Sequence, residues 1–293
     1  MPELPEVETI RSGLSLSLPG RTIAHVDIRV AKLISRPSPE DFAASLTGQT
    51  YTSLRRKGKI LIIDLTDFSL LVRLGMTGQL TFRTPERPDQ DEFTIHPITG
   101  LQRAVQHVPD KHTHIIIEHS DGTQLNYRDI RKFGHWFLYP RHLVDDSREL
   151  KALGPDPLSP EFTQPALQEA LSHTHRCIKA ALLDQALICG LGNIYVDEVL
   201  FQSHVRPDRP ACEINAEECS RMYTCIPQIL LSSIANRGTT FSDYRDSHGN
   251  PGDNAESLKA YGRYGQPCLV CGSEMQRSTL GGRTSSWCPN CQH

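Results

Sequence analysis

The sequence predicts a multidomain α+β protein, with an N-terminal helix plus β-sandwich, a C-terminal helical domain and a small cysteine module. Three observations predict it. Apolar, β-branched stretches recur from residue 21 to 139 with turn signals between them, the texture of a sandwich. After the proline-rich passage Gly154-Pro155-Asp156-Pro157-Leu158-Ser159-Pro160, which reads as a linker, the periodicity turns helical. Four cysteines then crowd the tail. The boundaries expected from these shifts are 1–140 for helix and sandwich, 141–160 for the linker, 161–264 for the helical domain and 265–293 for the cysteine module.

In chain order, Leu4, Val7, Ile10 and Leu14 recur at helical spacing. Pro5 fits a first helical position, where its missing N–H costs nothing, and Pro19-Gly20 ends the run. Strands are predicted from Ile23 to Val30, Ile60 to Leu65, Leu70 to Leu74, His114 to Glu118 and Trp136 to Tyr139. Ser120-Asp121-Gly122-Thr123 reads as a hairpin turn. Residues 84–112 are polar, rich in Pro, Asp and His, and aperiodic, so a long loop is expected there. Helices are predicted at about 161–173, 175–186 and 193–204, and a longer one at about 216–237. The last has Asn215 as N-cap, Glu218 three residues on and Gly238 just past its end.

A chain of 293 residues with 38% apolar content can bury more than one core. No segment reaches the roughly 18 consecutive apolar residues of a membrane span. The acidic opening Met-Pro-Glu-Leu-Pro-Glu-Val-Glu is unlike a signal or transit peptide, so a soluble, cytoplasmic protein is expected. Cys177, Cys189, Cys212, Cys219 and Cys225 show no pairing rhythm and read as reduced thiols. A net charge of −3 does not favour a nucleic-acid partner. Phosphate contact depends on local clustering, however, and Arg55-Arg56-Lys57-Gly58-Lys59 and Arg128 with Arg131-Lys132 are clusters.

Three motifs carry chemistry. Cys268-x2-Cys271-x16-Cys288-x2-Cys291 has the spacing of a four-cysteine zinc site. Four thiolates fill a tetrahedron and leave no position for water, so one structural Zn2+ is expected. Gly281-Gly282-Arg283-Thr284, at the tip of the intervening hairpin, would let backbone approach a phosphate with Arg283 beside it. Secondly, Cys189-Gly190-Leu191-Gly192-Asn193-Ile194-Tyr195 separates two helical patterns. Its N–H groups form an anion site and Asn193 can cap the next helix, although a purely structural corner between helices reads equally well. Thirdly, removal of Met1 would make Pro2 a secondary amine with a reference pKa near 7.7–8. Attack by such an amine on a sugar C1′ gives an iminium that cannot lose an N–H, a fixed electron sink. Glu3 is placed to act as general acid and base, and Glu6, one turn on, to hold the terminus. The plainer alternative is an acidic first turn suited to the helix dipole.

Together these segments resemble the formamidopyrimidine-DNA glycosylase family over nearly the whole chain. The resemblance rests on Pro2-Glu3-Leu4-Pro5-Glu6-Val7-Glu8, Arg56-Lys57-Gly58-Lys59, Leu74-Gly75-Met76-Thr77-Gly78, Asp129-Ile130-Arg131-Lys132-Phe133-Gly134, Gly192-Asn193-Ile194-Tyr195 and the cysteine module with Arg283, in family order. It implies a helix-two-turns-helix in the helical domain. It also implies a bifunctional glycosylase and lyase that flips and excises 8-oxoguanine opposite cytosine and ring-opened purines, then cuts by β,δ-elimination. By the same resemblance Pro2 is the nucleophile, Glu3 the proton carrier, and Lys59 and Arg283 complete the catalytic set. Glu6, Arg73, Met76, His114, Arg131, Phe133, Asn193 and Tyr261 are implied DNA contacts, with Met76, Arg131 and Phe133 filling the gap left by the flipped base. Read singly, those three are equally a core Met, a surface Arg and a sandwich-core Phe. The implied partner is double-stranded DNA carrying oxidised purines or abasic sites, with no nucleotide cofactor, no membrane and a monomeric state.

Departures are visible too. Arg73 stands where the family often has His, residues 84–112 look inserted, and Gly249-Asn250-Pro251-Gly252-Asp253-Asn254 lacks the usual aromatic of the base-capping segment. Two alternatives differ in what they ask of the chain. An endonuclease VIII-like enzyme for oxidised pyrimidines is disfavoured by Glu3-Leu4-Pro5. A zinc-dependent DNA-binding protein without catalysis would not need Pro2, Glu3 and Lys59.

Overall fold

A computed structural model describes residues 2–85, 93–95, 102–104 and 109–293. The chain forms two compact units, Met1–Lys151 with Ile234–Glu256 and Ala152–Ser233 with Ser257–His293.

The first unit opens with α1 (Leu4–Ser15), capped at Glu3 with Pro5 in its first turn. Strands β1 (Ile23–Ile28) and β2 (Ile34–Arg36) precede α2 (Pro39–Leu46). Sequence periodicity missed α2, yet its signal is present: Ser38 accepts from Asp41 N and Pro39 opens the helix. Then come β3 (Tyr51–Lys57), β4 (Ile60–Leu65), β5 (Phe68–Arg73), β6 (Gly78–Arg83), β7 (Phe93–Ile95), β8 (Gln102–Ala104), β9 (Thr113–His119), β10 (Gln124–Asp129) and β11 (His135–Pro140). They form sheets of order β1-β9-β10-β6 and β2-β11-β5-β4-β3, with β7 and β8 paired apart. Every pairing is antiparallel except that of β2 with β11. Alternate residues of both sheets, including Leu61, Ile63, Leu70, Val72, Ile115, Ile117, Leu125 and Trp136, form one buried cluster with Val7, Ile10 and Leu14 of α1. The β9–β10 turn is the expected Asp121-Gly122 hairpin, with Asp121 Oδ1 accepting from Thr123 N.

Three segments carry structure that the sequence reading did not detail. The stretch 84–112 is not wholly irregular, because β7 and β8 pair within it; residues 86–92, 96–101 and 105–108 lie outside the described residues. Residues 141–151, expected within a linker, carry local structure. They form a 3-10 helix (Arg141–Asp146) and α3 (Arg148–Lys151), tied down where Tyr139 Oη donates to Glu149 and Lys57 Nζ to the Leu150 carbonyl. By contact, residues 234–256, expected with the helical domain, cluster with the sandwich unit. Tyr244 joins its core cluster, Phe82 N donates to the Ser247 carbonyl at 3.0 Å and Thr239 N to Glu6 Oε1 at 2.7 Å.

Burial also sets a pH response. His119 is enclosed between Thr123 Oγ1 and Tyr51 Oη, and desolvation lowers its pKa to about 4. The unfolded chain takes up that proton near pH 6.5. Folding stability from this group is therefore complete above pH 6.5 and is lost as pH falls toward 4, by up to about 3 kcal/mol. We expect His119→Gln, which does not titrate, to flatten the wild-type fall in Tm over that window. An unchanged slope would exclude His119 as its source.

The second unit contains α4 (Gln164–Ser172), α5 (Ile178–Leu183), α6 (Asn193–Gln202), most of α7 (Ala216–Ala235), and a hairpin of β12 (Gln276–Leu280) and β13 (Arg283–Trp287). The α7 cap is as read from sequence: Asn215 Oδ1 accepts from Glu218 N while Glu218 Oε2 accepts from Asn215 N. The proline-rich passage is tethered, since Gly154 N donates to the Gln185 carbonyl and Cys189 N to the Pro155 carbonyl. Among the described residues no helix is long and apolar enough to cross a membrane.

Candidate functional site

In the first unit, Pro2, Glu3 and Glu6 are all buried, Glu3 at 3% exposure. Glu6 Oε2 accepts from Glu3 N at 2.8 Å and Oε1 from Thr239 N. The capping geometry of α1 thus fixes the backbone right after Pro2. Glu6 is buried with both carboxylate oxygens on backbone N–H groups, an arrangement that holds the terminus. His114 is held inside the fold as well. It is buried, burial lowers its pKa, and Nε2 lies 2.9 Å from the Asp129 carbonyl, a structural partner rather than a surface one.

Met76 lies between β5 and β6, and Arg131 and Phe133 between β10 and β11. Folding brings all three together: Arg131 Nη1 is 2.9 Å from Met76 Sδ, and its guanidinium lies 4.7 Å over the Phe133 ring. Phe133 is 50% exposed, and neither it nor Met76 joins the core. An exposed ring with a cation against it can stack a base. Arg73, at the end of β5, lies 5.9 Å from the Phe137 ring. The basic clusters are mostly engaged within the fold. Arg55 pairs with Asp64 and Asp145, Arg56 with Glu8, and Arg128 with Asp110, whose carboxyl these contacts hold below the usual range against the upward push of burial. Lys59 occupies the Gly58-Lys59 turn of the β3–β4 hairpin.

In the second unit the glycine turn and the zinc hairpin are locked together. Gly192, not Asn193, is the cap of α6, so the expected capping by Asn193 is corrected. Asn193 Nδ2 donates instead to the Thr284 carbonyl at 2.9 Å. Beneath them Lys179 and Asp197 form a fully buried ion pair at 2.6 Å. Lys179 also donates to the Asn193 carbonyl, and Asp197 accepts from Ser285 Oγ and Ser286 N of β13. Glu198 accepts from the backbone N–H groups of Lys259, Ala260 and Tyr261, each at 2.9 Å, which fixes the turn bearing Tyr261. Burial pushes both carboxyls up against these donors. Sequence reading missed this pair and Lys179. The signal was Asp197-Glu198 inside the apolar run Ile194 to Phe201, where charges are rare without partners. Arg283 is exposed at the hairpin tip, beyond a Gly281-Gly282 turn whose φ values, 56° and 72°, are both left-handed.

The four thiolates Cys268, Cys271, Cys288 and Cys291 have their Sγ atoms within 4.8 Å of one another. A tetrahedron with Zn–S bonds of about 2.3 Å needs sulfurs roughly 3.8 Å apart, and Cys268–Cys291 and Cys271–Cys288 stand at 3.9 and 3.5 Å. The donor set fits one structural zinc and leaves no ligand position for chemistry.

A buried acidic pair behind Pro2, an exposed aromatic–arginine pair, and a glycine turn bound to the four-cysteine hairpin are the features that the resemblance to a DNA-repair glycosylase of the zinc-finger class implies. Family models agree along the chain: formamidopyrimidine-DNA glycosylase N-terminal domain over residues 1–136, formamidopyrimidine-DNA glycosylase H2TH domain over 153–245, and the zinc finger found in FPG and IleRS over 265–293. The chain belongs to the formamidopyrimidine-DNA glycosylase family. It is 37% identical to the formamidopyrimidine-DNA glycosylase of Listeria innocua over 292 residues, covering 100% of both chains. Among solved structures it is similar to wild-type Lactococcus lactis Fpg complexed with N7-benzyl-Fapy-dG containing DNA, with a TM-score of 0.86 and 32% identity, covering 100% of both chains. A complex of MutM with carbocyclic 8-oxo-G containing DNA also matches, with a TM-score of 0.86 and 31% identity over 100% of both chains.

Proposed function

We propose that this chain is a base-excision-repair enzyme that removes oxidised purines from double-stranded DNA and then cuts the strand. The observation that carries the reading is the buried capping arrangement of Glu3 and Glu6 directly after Pro2, on a chain similar over its full length to enzymes solved with Fapy-dG and 8-oxo-G DNA. The Pro2 nitrogen attacks C1′, the bond from C1′ to the base breaks, and the base leaves with a proton. The amine loses its own proton and the bond from C1′ to O4′ opens as Glu3 protonates O4′, which leaves an iminium between Pro2 and C1′. Loss of a C2′ proton expels the 3′ phosphate, and loss of a C4′ proton expels the 5′ phosphate. Lys59 binds phosphate near the lesion, and Asn193 and Arg283 bind phosphates from the second unit. The zinc keeps the Arg283 hairpin in shape.

Single-turnover excision from matched duplexes tests the substrate class. We expect 8-oxoguanine opposite cytosine and Fapy-guanine to be released at least about tenfold faster than an oxidised pyrimidine. Faster release of the pyrimidine would move the chain to the endonuclease VIII reading.

A further inference from the structure

We propose that Asp129 is a positioning residue that sets opposite-base selectivity by locking the Met76 turn to the Arg131–Phe133 loop. The proposal rests on the reading, implied by the family resemblance, that those three side chains occupy the gap left by the flipped base and that Arg131 pairs with the orphaned cytosine. Asp129 is fully buried at the end of β10 and does not reach the surface where they stand. Its carboxylate is the junction of both loops. Oδ1 accepts from Thr77 Oγ1 at 2.5 Å and from Arg131 N at 3.2 Å. Oδ2 accepts from Gly134 N at 2.9 Å and lies 3.1 Å from Tyr127 Oη. That hydroxyl also lies 3.0 Å from the Leu74 carbonyl, which opens the Met76 turn. Thr77 completes the ring by accepting from Arg131 N at 3.0 Å.

The donors arrive from both loops: Thr77 follows Met76 directly, Arg131 N belongs to a residue of the trio, and Gly134 N follows Phe133. Steric fit reinforces the lock. A Cβ on Gly75, at φ 73°, would lie 2.6 Å from the Phe133 carbonyl carbon, and one on Gly134 would lie 1.7 Å from Tyr127 Oη. The two loops are packed backbone against backbone, with one carboxylate gathering the N–H and O–H groups between them. A buried carboxylate holding several donors is sensitive to the loss of any one of them. Burial and the neighbouring carboxylate push the Tyr127 hydroxyl pKa up, so Tyr127 remains a donor.

The test uses Asp129→Asn, which places an amide among those donors, and Thr77→Val, which removes one hydroxyl, with Thr77→Ser as the conservative control. Each is assayed for single-turnover excision of 8-oxoguanine opposite cytosine and opposite adenine, and for borohydride trapping at a preformed abasic site. We expect the ratio of cytosine to adenine rates to fall about tenfold in Asp129→Asn and Thr77→Val, while trapping falls less than about threefold. Thr77→Ser should keep the wild-type ratio. If Asp129→Asn does not fold, Thr77→Val carries the test. An unmoved ratio in Thr77→Val, or a fall in ratio and trapping by the same factor, overturns the proposal while wild-type excision stands. Wild-type protein that excises no lesion overturns the functional reading, and this proposal with it.

Discussion

A chain whose Pro2 nitrogen is held in an amide by an N-terminal extension should lose the borohydride-trapped adduct with lesion DNA, and Pro2→Gly, which keeps a primary amine, should form it more slowly. The expected loss in excision for the extended chain is about three orders of magnitude or more. The extension leaves no basic nitrogen, because an amide lone pair is delocalised and cannot attack C1′. Glycine keeps an amine but not a secondary one, so its adduct can shed a proton and relax to a neutral imine, which draws electrons far less. Both changes leave the cap of α1 intact, since Glu3 N still meets Glu6 Oε2 and Thr239 N still meets Glu6 Oε1. Affinity for DNA with a non-reactive abasic analogue should therefore stay within about threefold. Full excision by a variant with a blocked residue 2 would remove the covalent mechanism. Sequencing the active protein for residue 2 at its terminus is the companion measurement.

What the sequence revealed and what it hid divides along physical lines. The cysteine spacing, the Asn215–Glu218 cap and the Asp121-Gly122 turn are local, and each was legible because neighbouring residues satisfy one another. The four-cysteine zinc site was legible for the same reason, since each Cys-x2-Cys clip is short. Long-range partners were not. Whether Arg55, Arg56 and Arg128 face phosphate or a carboxylate depends on tertiary packing, and that information resides in Asp64 on the neighbouring strand, Glu8 on α1 and Asp110 ahead of β9. The backbone partners of Glu6 and His114 are likewise distant in sequence or set by strand register, so folding alone reveals them. The membership of 234–256 was hidden for a related reason. It begins at the end of α7 in sequence, but Tyr244 completes a core built from residues more than a hundred positions earlier. The wedge lay between these extremes. Met76 read singly as a gap-filler, and only folding sets it against Arg131 and Phe133.

Lys179→Met should destabilise the second unit by about 3–5 kcal/mol, because it leaves Asp197 buried without its cation. For a unit of this size that is a fall in Tm of about 10–20 °C. The cost is large because Asp197 cannot turn to water: it is held by Ser285 Oγ and Ser286 N, and Lys179 bridges it to the Asn193 carbonyl. A charge left in place must be neutralised by protonation, so the loss should be smaller at low pH, where Asp197 is already protonated. The double variant Lys179→Met/Asp197→Asn separates charge from geometry. Asparagine removes the stranded charge yet still offers an oxygen to Ser285 or Ser286, so more than half of the lost stability should return. The coupling between the two sites in a double-mutant cycle measures the pair itself. DNA affinity should not recover in parallel, because the link from Lys179 to the Asn193 turn is absent from both variants. If the single variant melts within about 2 °C of wild type, Asp197 has found water or a proton at little cost, and the pair does not brace the hairpin that carries Arg283.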